Sequence, residues 1–165
     1  MIILCIDPGY AIVGFGIIEK FTNGSVRVLD YGVITTPKED TMPVRLQTIY
    51  NSLCTLIDKY HPDCMALEEL FFQNNQKTAI NVAQARGVTV LAGIEKIGKL
   101  YEYTPLQIKQ ALTGFGRAEK KQVQFMVKSI LGLASIPKPD DAADALAAAL
   151  THAQTNQILG MNDIK

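Results

Sequence analysis

Apolar residues open the chain in a short run over residues 2–7, which stops at Asp7-Pro8-Gly9. A run of that length ending in turn residues predicts a strand. Ile12 to Ile18 forms a second run with Gly14 and Gly16 inside it. Val26 to Thr35 forms a third, with Asn23-Gly24 supplying hairpin chemistry ahead of it. Strands joined by such short connections predict an antiparallel meander. The period then changes. Between Met42 and Tyr60 the residues Val44, Leu46, Ile49, Tyr50, Leu53, Leu56 and Ile57 recur mostly at helical steps, and His61-Pro62 ends the helix. Cys64 to Leu67 is a short apolar run closing at Glu68-Glu69, most simply a buried strand that returns parallel to the first through the helical crossover.

Asn75 to Ile97 reads as a long helix, rich in Ala and Gly and apolar on most sides, which needs burial all round and suggests a subunit interface. Tyr101 to Thr104 predicts a further strand, and Pro105 to Leu112 a helix entered through proline. Gly114-Phe115-Gly116 breaks the chain before helices over Glu119 to Leu131 and Asp141 to Thr155. The expected fold class is α/β, a mixed sheet of about five strands flanked by helices, with residues 1–165 in a single domain.

Composition narrows the class. The chain is 48% hydrophobic, which fits a globular protein and argues against disorder. No stretch approaches the ~20 apolar residues of a membrane helix, and the first residues carry no basic leader, so a cytoplasmic location is expected. Cys5, Cys54 and Cys64 lack any Cys-x-x-Cys spacing and read as buried free thiols. Net charge is zero. Its distribution is uneven: Lys96 to Lys138 holds eight basic residues against Glu102 and Glu119, so the remainder is correspondingly acidic. That segregation suits a phosphate-binding face beside an acidic site, and equally a solvated helix surface.

The candidate chemistry is carboxylate. Asp7 ends an apolar strand at a glycine turn, where it either caps the turn or points into the cleft at the sheet's carboxyl end. Glu68 ends the strand expected beside it. Alternation sends Glu69 to the opposite face, so only Glu68 serves the same site. Asp141 and Asp144 are three residues apart, hence on one face of a helix, with Ala and Leu as neighbours and little other charge. Asp140 reads as that helix's N-cap. With no basic residue following within the helix, the acidic pair needs a partner, and a metal ion is the preferred one. Oxygen-only ligands select magnesium or manganese over zinc. Neither His61 nor His152 sits in a metal-ligand motif, although His152 lies eight residues after Asp144 and roughly on its face. Phe71 and Phe72 either stack on unpaired bases or plug the top of the core.

Taken together, several blocks resemble the RuvC family of Holliday-junction resolvases. They are Ile6-Asp7-Pro8-Gly9 with Gly14-Phe15-Gly16, Ala66-Leu67-Glu68, Gln84-Ala85-Arg86-Gly87, Gln107-Ile108-Lys109-Gln110, Ala118-Glu119-Lys120 and Asp141-Ala142-Ala143-Asp144-Ala145-Leu146. They occur in the family's order and cover nearly the whole chain. The resemblance implies a ribonuclease-H-like fold with strand order 3-2-1-4-5 and a homodimer that nicks a four-way DNA junction symmetrically, leaving 5′-phosphate and 3′-hydroxyl ends. Asp7, Glu68, Asp141 and Asp144 correspond to metal-binding catalytic acids, for a pair of Mg2+ ions with Mn2+ as a substitute. Lys109 and Lys120 match basic residues near the DNA, and Phe71 an aromatic that engages bases at the crossover. The helix containing Arg86 matches the dimer interface, and a branch-migration complex of RuvA and RuvB is the implied partner. Glu69 departs from the pattern, since relatives can carry a neutral residue there.

Three rivals share parts of this pattern. A ribonuclease on the same fold would use the same acids on an RNA–DNA hybrid. A sugar-kinase or actin-like phosphotransferase also opens with Asp-x-Gly, but needs two such domains and further glycine-rich loops. A non-catalytic junction-binding module would have no need of all four acids.

Overall fold

A computed structural model describes residues 1–70, 76–155 and 163–164, except for the side chains of 76–78. The sheet is built from β1 (Ile2–Asp7), β2 (Ile12–Lys20), β3 (Val26–Thr35), β4 (Cys64–Glu68) and β5 (Leu100–Tyr103). Its order is β3-β2-β1-β4-β5. β1 pairs antiparallel with β2 and β2 antiparallel with β3, whereas β1–β4 and β4–β5 are parallel. The expected meander, crossover and strand order are all present.

Side-chain alternation divides the sheet into two packed faces. Leu4 and Ile6 of β1 and Met65 and Leu67 of β4 meet α1 (Met42–Tyr60) and α2 (Gln76–Lys96). Ile3 and Cys5, with Cys64 and Ala66, face α3 (Pro105–Thr113), α4 (Lys120–Ile130) and α5 (Asp140–Gln154). α5 lies directly across β1 and β2 and is buried along most of its length, from Ala142 to Ala153. Odd positions of β1 and even positions of β4 therefore point toward α5, and continuing that parity carries Asp7 and Glu68 to the same face.

Boundaries differ from expectation in two informative places. The last strand begins at Leu100 and ends at Tyr103, because Thr104 leaves the sheet to cap α3. The Thr104 hydroxyl accepts from the Gln107 amide, and the Gln107 side chain accepts in turn from the Thr104 amide, a reciprocal capping box. At the start of α5 the N-cap is Pro139, not Asp140. Asp140 sits in the first helical turn, where its charge suits the helix dipole and lies 3.4 Å from Lys120 Nζ. All three cysteines are free thiols, with Cys5 and Cys64 buried.

Candidate active site

β1 is the central strand, and its last residue has no further sheet to enter. Asp7 ends it opposite Gly14 of β2 and beside Glu68 of β4, since Ile6 pairs with Leu67 in the parallel register. The chain then turns sharply, and a Cβ built on Gly9 would stand 1.8 Å from the Ile12 carbonyl oxygen. Only glycine fits that bend.

Two more glycines bring in the other acids. A Cβ on Gly14 would lie 2.1 Å from the Asp141 carbonyl oxygen. One on Gly16 would lie 2.9 Å from Leu146 Cδ2 and 3.0 Å from the Leu146 amide nitrogen. β2 therefore presents bare backbone to α5, and the helix descends close enough to set Asp141 and Asp144 over the ends of β1 and β4. The sequence blocks contained these glycines, but their task, to admit a helix, depends on contacts more than a hundred residues apart.

The electrostatics follow from this crowding. Burial pushes the Asp7 carboxyl up to about 8, and the neighbouring charges of Glu68, Asp144 and Asp141 add to the rise. Glu68 is pushed up to about 7, again first by burial and then by Asp144. Burial also raises Asp144, against the pull of its hydrogen bond to Lys120. Burial is the first cause of every one of these shifts, with like charge adding to it at Asp7 and Glu68.

Lys120 is the principal local counter-charge. Its Nζ donates to Asp144 Oδ2 at 2.7 Å. Burial lowers this ammonium's affinity for its proton, but the contacts with Asp144 and Asp140 outweigh that and raise its pKa. The ion pair revises the sequence argument, which found no basic partner within the helix and turned to a metal. The partner comes from α4, 24 residues earlier in the chain. Lys109 of α3 shares the cleft and lowers the Glu68 carboxyl. The cleft itself is lined by Glu68, Lys109, Lys120 and Asp144, with Ile108 and Val123 among its apolar walls.

Among the described residues no three ligating side chains already stand around one point. Asp7 feels the charges of Glu68, Asp144 and Asp141, and Glu68 that of Asp144, while the Asp144 carboxylate is bonded to Lys120. Glu69 lies just past the end of β4 and is exposed. His152 is fully buried and lies away from the acids. Phe71 lies outside the described residues.

Comparison with known proteins identifies the family and the fold. The family model described as "Crossover junction endodeoxyribonuclease RuvC" matches residues 3–152. The chain is 53% identical over 165 residues to the protein of that name from Alkaliphilus oremlandii, covering 100% of both. It is 54% identical over 158 residues to the one from Clostridioides difficile, covering 96% of this chain and 93% of the relative. Among solved structures, T. thermophilus RuvC in complex with a Holliday junction substrate superposes with a TM-score of 0.88 at 37% identity, covering 93% of each chain. The yeast mitochondrial Holliday junction resolvase Ydc2, at 16% identity over 92% of this chain and 77% of the other, has a TM-score of 0.67 and shares the fold.

Proposed function

Since the chain belongs to the RuvC family of crossover junction endodeoxyribonucleases, we propose that it resolves four-way (Holliday) DNA junctions in recombination and repair by paired, symmetric, metal-dependent nicks. The observation that carries this reading is the gathering of Asp7, Glu68, Asp141 and Asp144 at one end of the sheet, with two of them raised to about 8 and about 7 by burial and mutual repulsion. A site so short of positive charge, with oxygen donors only, fits hard divalent cations such as Mg2+ or Mn2+. We assign the four acids as the residues that hold a pair of such ions. Held there, such ions would supply Lewis acidity toward the scissile phosphate and a lowered pKa for water, the chemistry that 5′-phosphate and 3′-hydroxyl ends would require.

The chain's own residues divide the remaining work. Asp7 and Glu68 sit on rigid strand ends, so their carboxylates are held in place by the sheet. Asp141 and Asp144 approach from the helix that the glycines of β2 admit. Lys109 and Lys120 bring ammonium groups into the same cleft, where they can meet a backbone phosphate. Phe71 is proposed to engage bases at the crossover. The acids must lose their protons before they can hold a cation.

Symmetric nicking needs two sites, and α2 offers a surface for joining two copies. Ile80, Gly87, Leu91 and Ile94 recur at three-, four- and seven-residue steps along it and are all exposed. A Cβ on Gly87 would meet nothing within 4 Å inside the chain, so packing within the monomer does not demand a glycine there. A second helix crossing close at that point would. We propose a homodimer through this stripe, with residues 1–165 acting as one ribonuclease-H-like domain in the cytoplasm and the RuvA–RuvB branch-migration complex as its partner. No helix among the described residues is long and apolar enough to cross a membrane.

The test is a cleavage assay on labelled DNA with Mg2+ or Mn2+. Four-way junctions should be cut in two strands of like polarity at symmetry-related positions, with nicks that a ligase seals and little cutting of linear duplex. Equal activity on an RNA–DNA hybrid would overturn the junction assignment.

A further inference from the structure

We infer that His152, bonded at one ring nitrogen to Tyr103 and at the other to Cys64, is a positioning residue that sets the register of α5 on the sheet and hence the spacing of Asp144 from Glu68. The inference rests on the metal-site reading above. His152 is completely buried, in the last turn of α5. Its Nδ1 lies 2.8 Å from Tyr103 Oη and its Nε2 3.2 Å from Cys64 Sγ. The Tyr101 ring packs against it, with centroids 4.4 Å apart. In a neutral imidazole one nitrogen donates and the other accepts, so the hydroxyl and the thiol can both be satisfied in either tautomer.

The two strands reached by this one ring are those that carry or flank Glu68. Cys64 lies on β4, four residues before Glu68. Tyr103 of β5 is the register partner of Glu68, and its carbonyl accepts from the Glu69 amide at 2.9 Å. The distances along the two elements match. From Asp144 to His152 is eight residues of helix, about 12 Å at the helical rise. From Glu68 to Cys64 is four residues of strand, about 13 Å. Helix and strand therefore form two rungs of equal separation, the imidazole–thiol contact at one end and the carboxylates at the other. Fixing the first rung fixes the second.

Such a pin is needed because of what α5 is made of. Between the rungs its buried surface is Ala145, Ala147, Ala148 and Ala149, with Leu146, Leu150 and Thr151, whose hydroxyl is spent on the Ala147 carbonyl of the same helix. Leu146 seats over Gly16, but the alanines are smooth and their dispersion contacts are non-directional. A buried hydrogen-bonded pair has direction, and specifying register is the best-attested use of polar groups in a core.

The experiment compares Mn2+ binding, by paramagnetic resonance on the intact metal-free protein, across the wild type, Tyr103→Phe, His152→Leu and His152→Gln. Asp7→Asn serves as the control for the site itself. Tyr103→Phe and His152→Leu should bind Mn2+ on the order of tenfold more weakly, with junction affinity unchanged and cleavage recovered at high Mn2+. His152→Gln, which retains a donor and an acceptor, should fall between His152→Leu and the wild type. Lower melting temperatures with unchanged Mn2+ affinity would make the network a purely structural one and overturn the inference. Should His152→Leu fail to fold, Tyr103→Phe alone decides, because it deletes one hydroxyl and keeps the ring. If Asp7→Asn binds Mn2+ as the wild type does, the metal-site reading itself fails and the inference falls with it.

Discussion

At its first turns α5 carries Asp141 and Asp144 toward the strand ends where burial and like charge push Asp7 up to about 8 and Glu68 up to about 7. Two turns later the same helix carries His152 into a pocket where both ring nitrogens have partners and no described side-chain polar atom is buried without one. Burial there lowers the imidazole to about 4, helped slightly by Lys20, so it stays neutral where the acids titrate. One helix thus joins a region that is electrostatically unsatisfied to one that is fully satisfied. The contrast separates function from support: the frustrated end is where a cation and a phosphate are wanted, and the satisfied end holds that frustration in place.

The largest effect is expected from relieving the frustrated end. Asp7→Asn should abolish junction cleavage, by on the order of a thousand-fold or more, while junction binding survives. The metal-free variant should also melt at a higher temperature than the wild type, because folding no longer requires Asp7 to take up a proton or bury a charge. A variant that cuts normally, or that is less stable, would contradict the account.

A smaller effect is expected from moving the helix itself. Gly14→Ala places a methyl 2.1 Å from the Asp141 carbonyl oxygen, so α5 must lift. The expected cost is about 2 kcal/mol in a denaturant titration, together with weaker metal binding. Gly87→Ala, in open space within the chain, should leave monomer stability nearly unchanged, and a comparable loss there would argue against the packing explanation.

The pH response should divide between the two ends. Asp7 and Glu68 have folded values above their unfolded ones, so they contribute stability that is present below about pH 4 and lost as pH rises through about 7 and 8. His152 is depressed, so its contribution is present above about 6.5 and lost as pH falls through about 4. Between about pH 6.5 and 8 the metal-free protein should therefore lose stability with rising pH, and Mn2+ affinity should rise over the same range as the acids ionise. Asp7→Asn should flatten that slope and His152→Leu should not. Thermal melts at fixed ionic strength read both.

The smallest effect is expected at the rim. Lys109→Ala should weaken junction binding only a few-fold and reduce the salt dependence by about one counterion. An unchanged salt slope would remove Lys109 from the DNA face.

How far these regions were legible in the sequence depends on how local their determinants are. Asp7 and Glu68 were readable because each closes an apolar run, and alternation assigns their faces without tertiary information. The spacing of Asp141 and Asp144 was readable for the same reason, through helical period. Sheet order came from the family resemblance, since periodicity alone does not rank strands. The pairing of Lys120 with Asp144 was not readable: the two lie on different helices, and only packing brings them together. Likewise His152 and Cys64 are 88 residues apart, so a buried network looked like a stray histidine and a stray thiol. Asp140 was misread as a cap because acids favour both the cap and the first turn, and Pro139 holds the extended cap conformation.

The most direct test of the central claim is the metal dependence of cleavage measured with single acid-to-amide variants on a strand-labelled four-way junction. No cutting is expected in chelator, and paired nicks are expected on adding Mg2+ or Mn2+. Those nicks should be lost in Asp7→Asn, Glu68→Gln, Asp141→Asn and Asp144→Asn, with binding retained in each. Cutting that persists in chelator, or in any two of these variants at the wild-type rate, would contradict the claim.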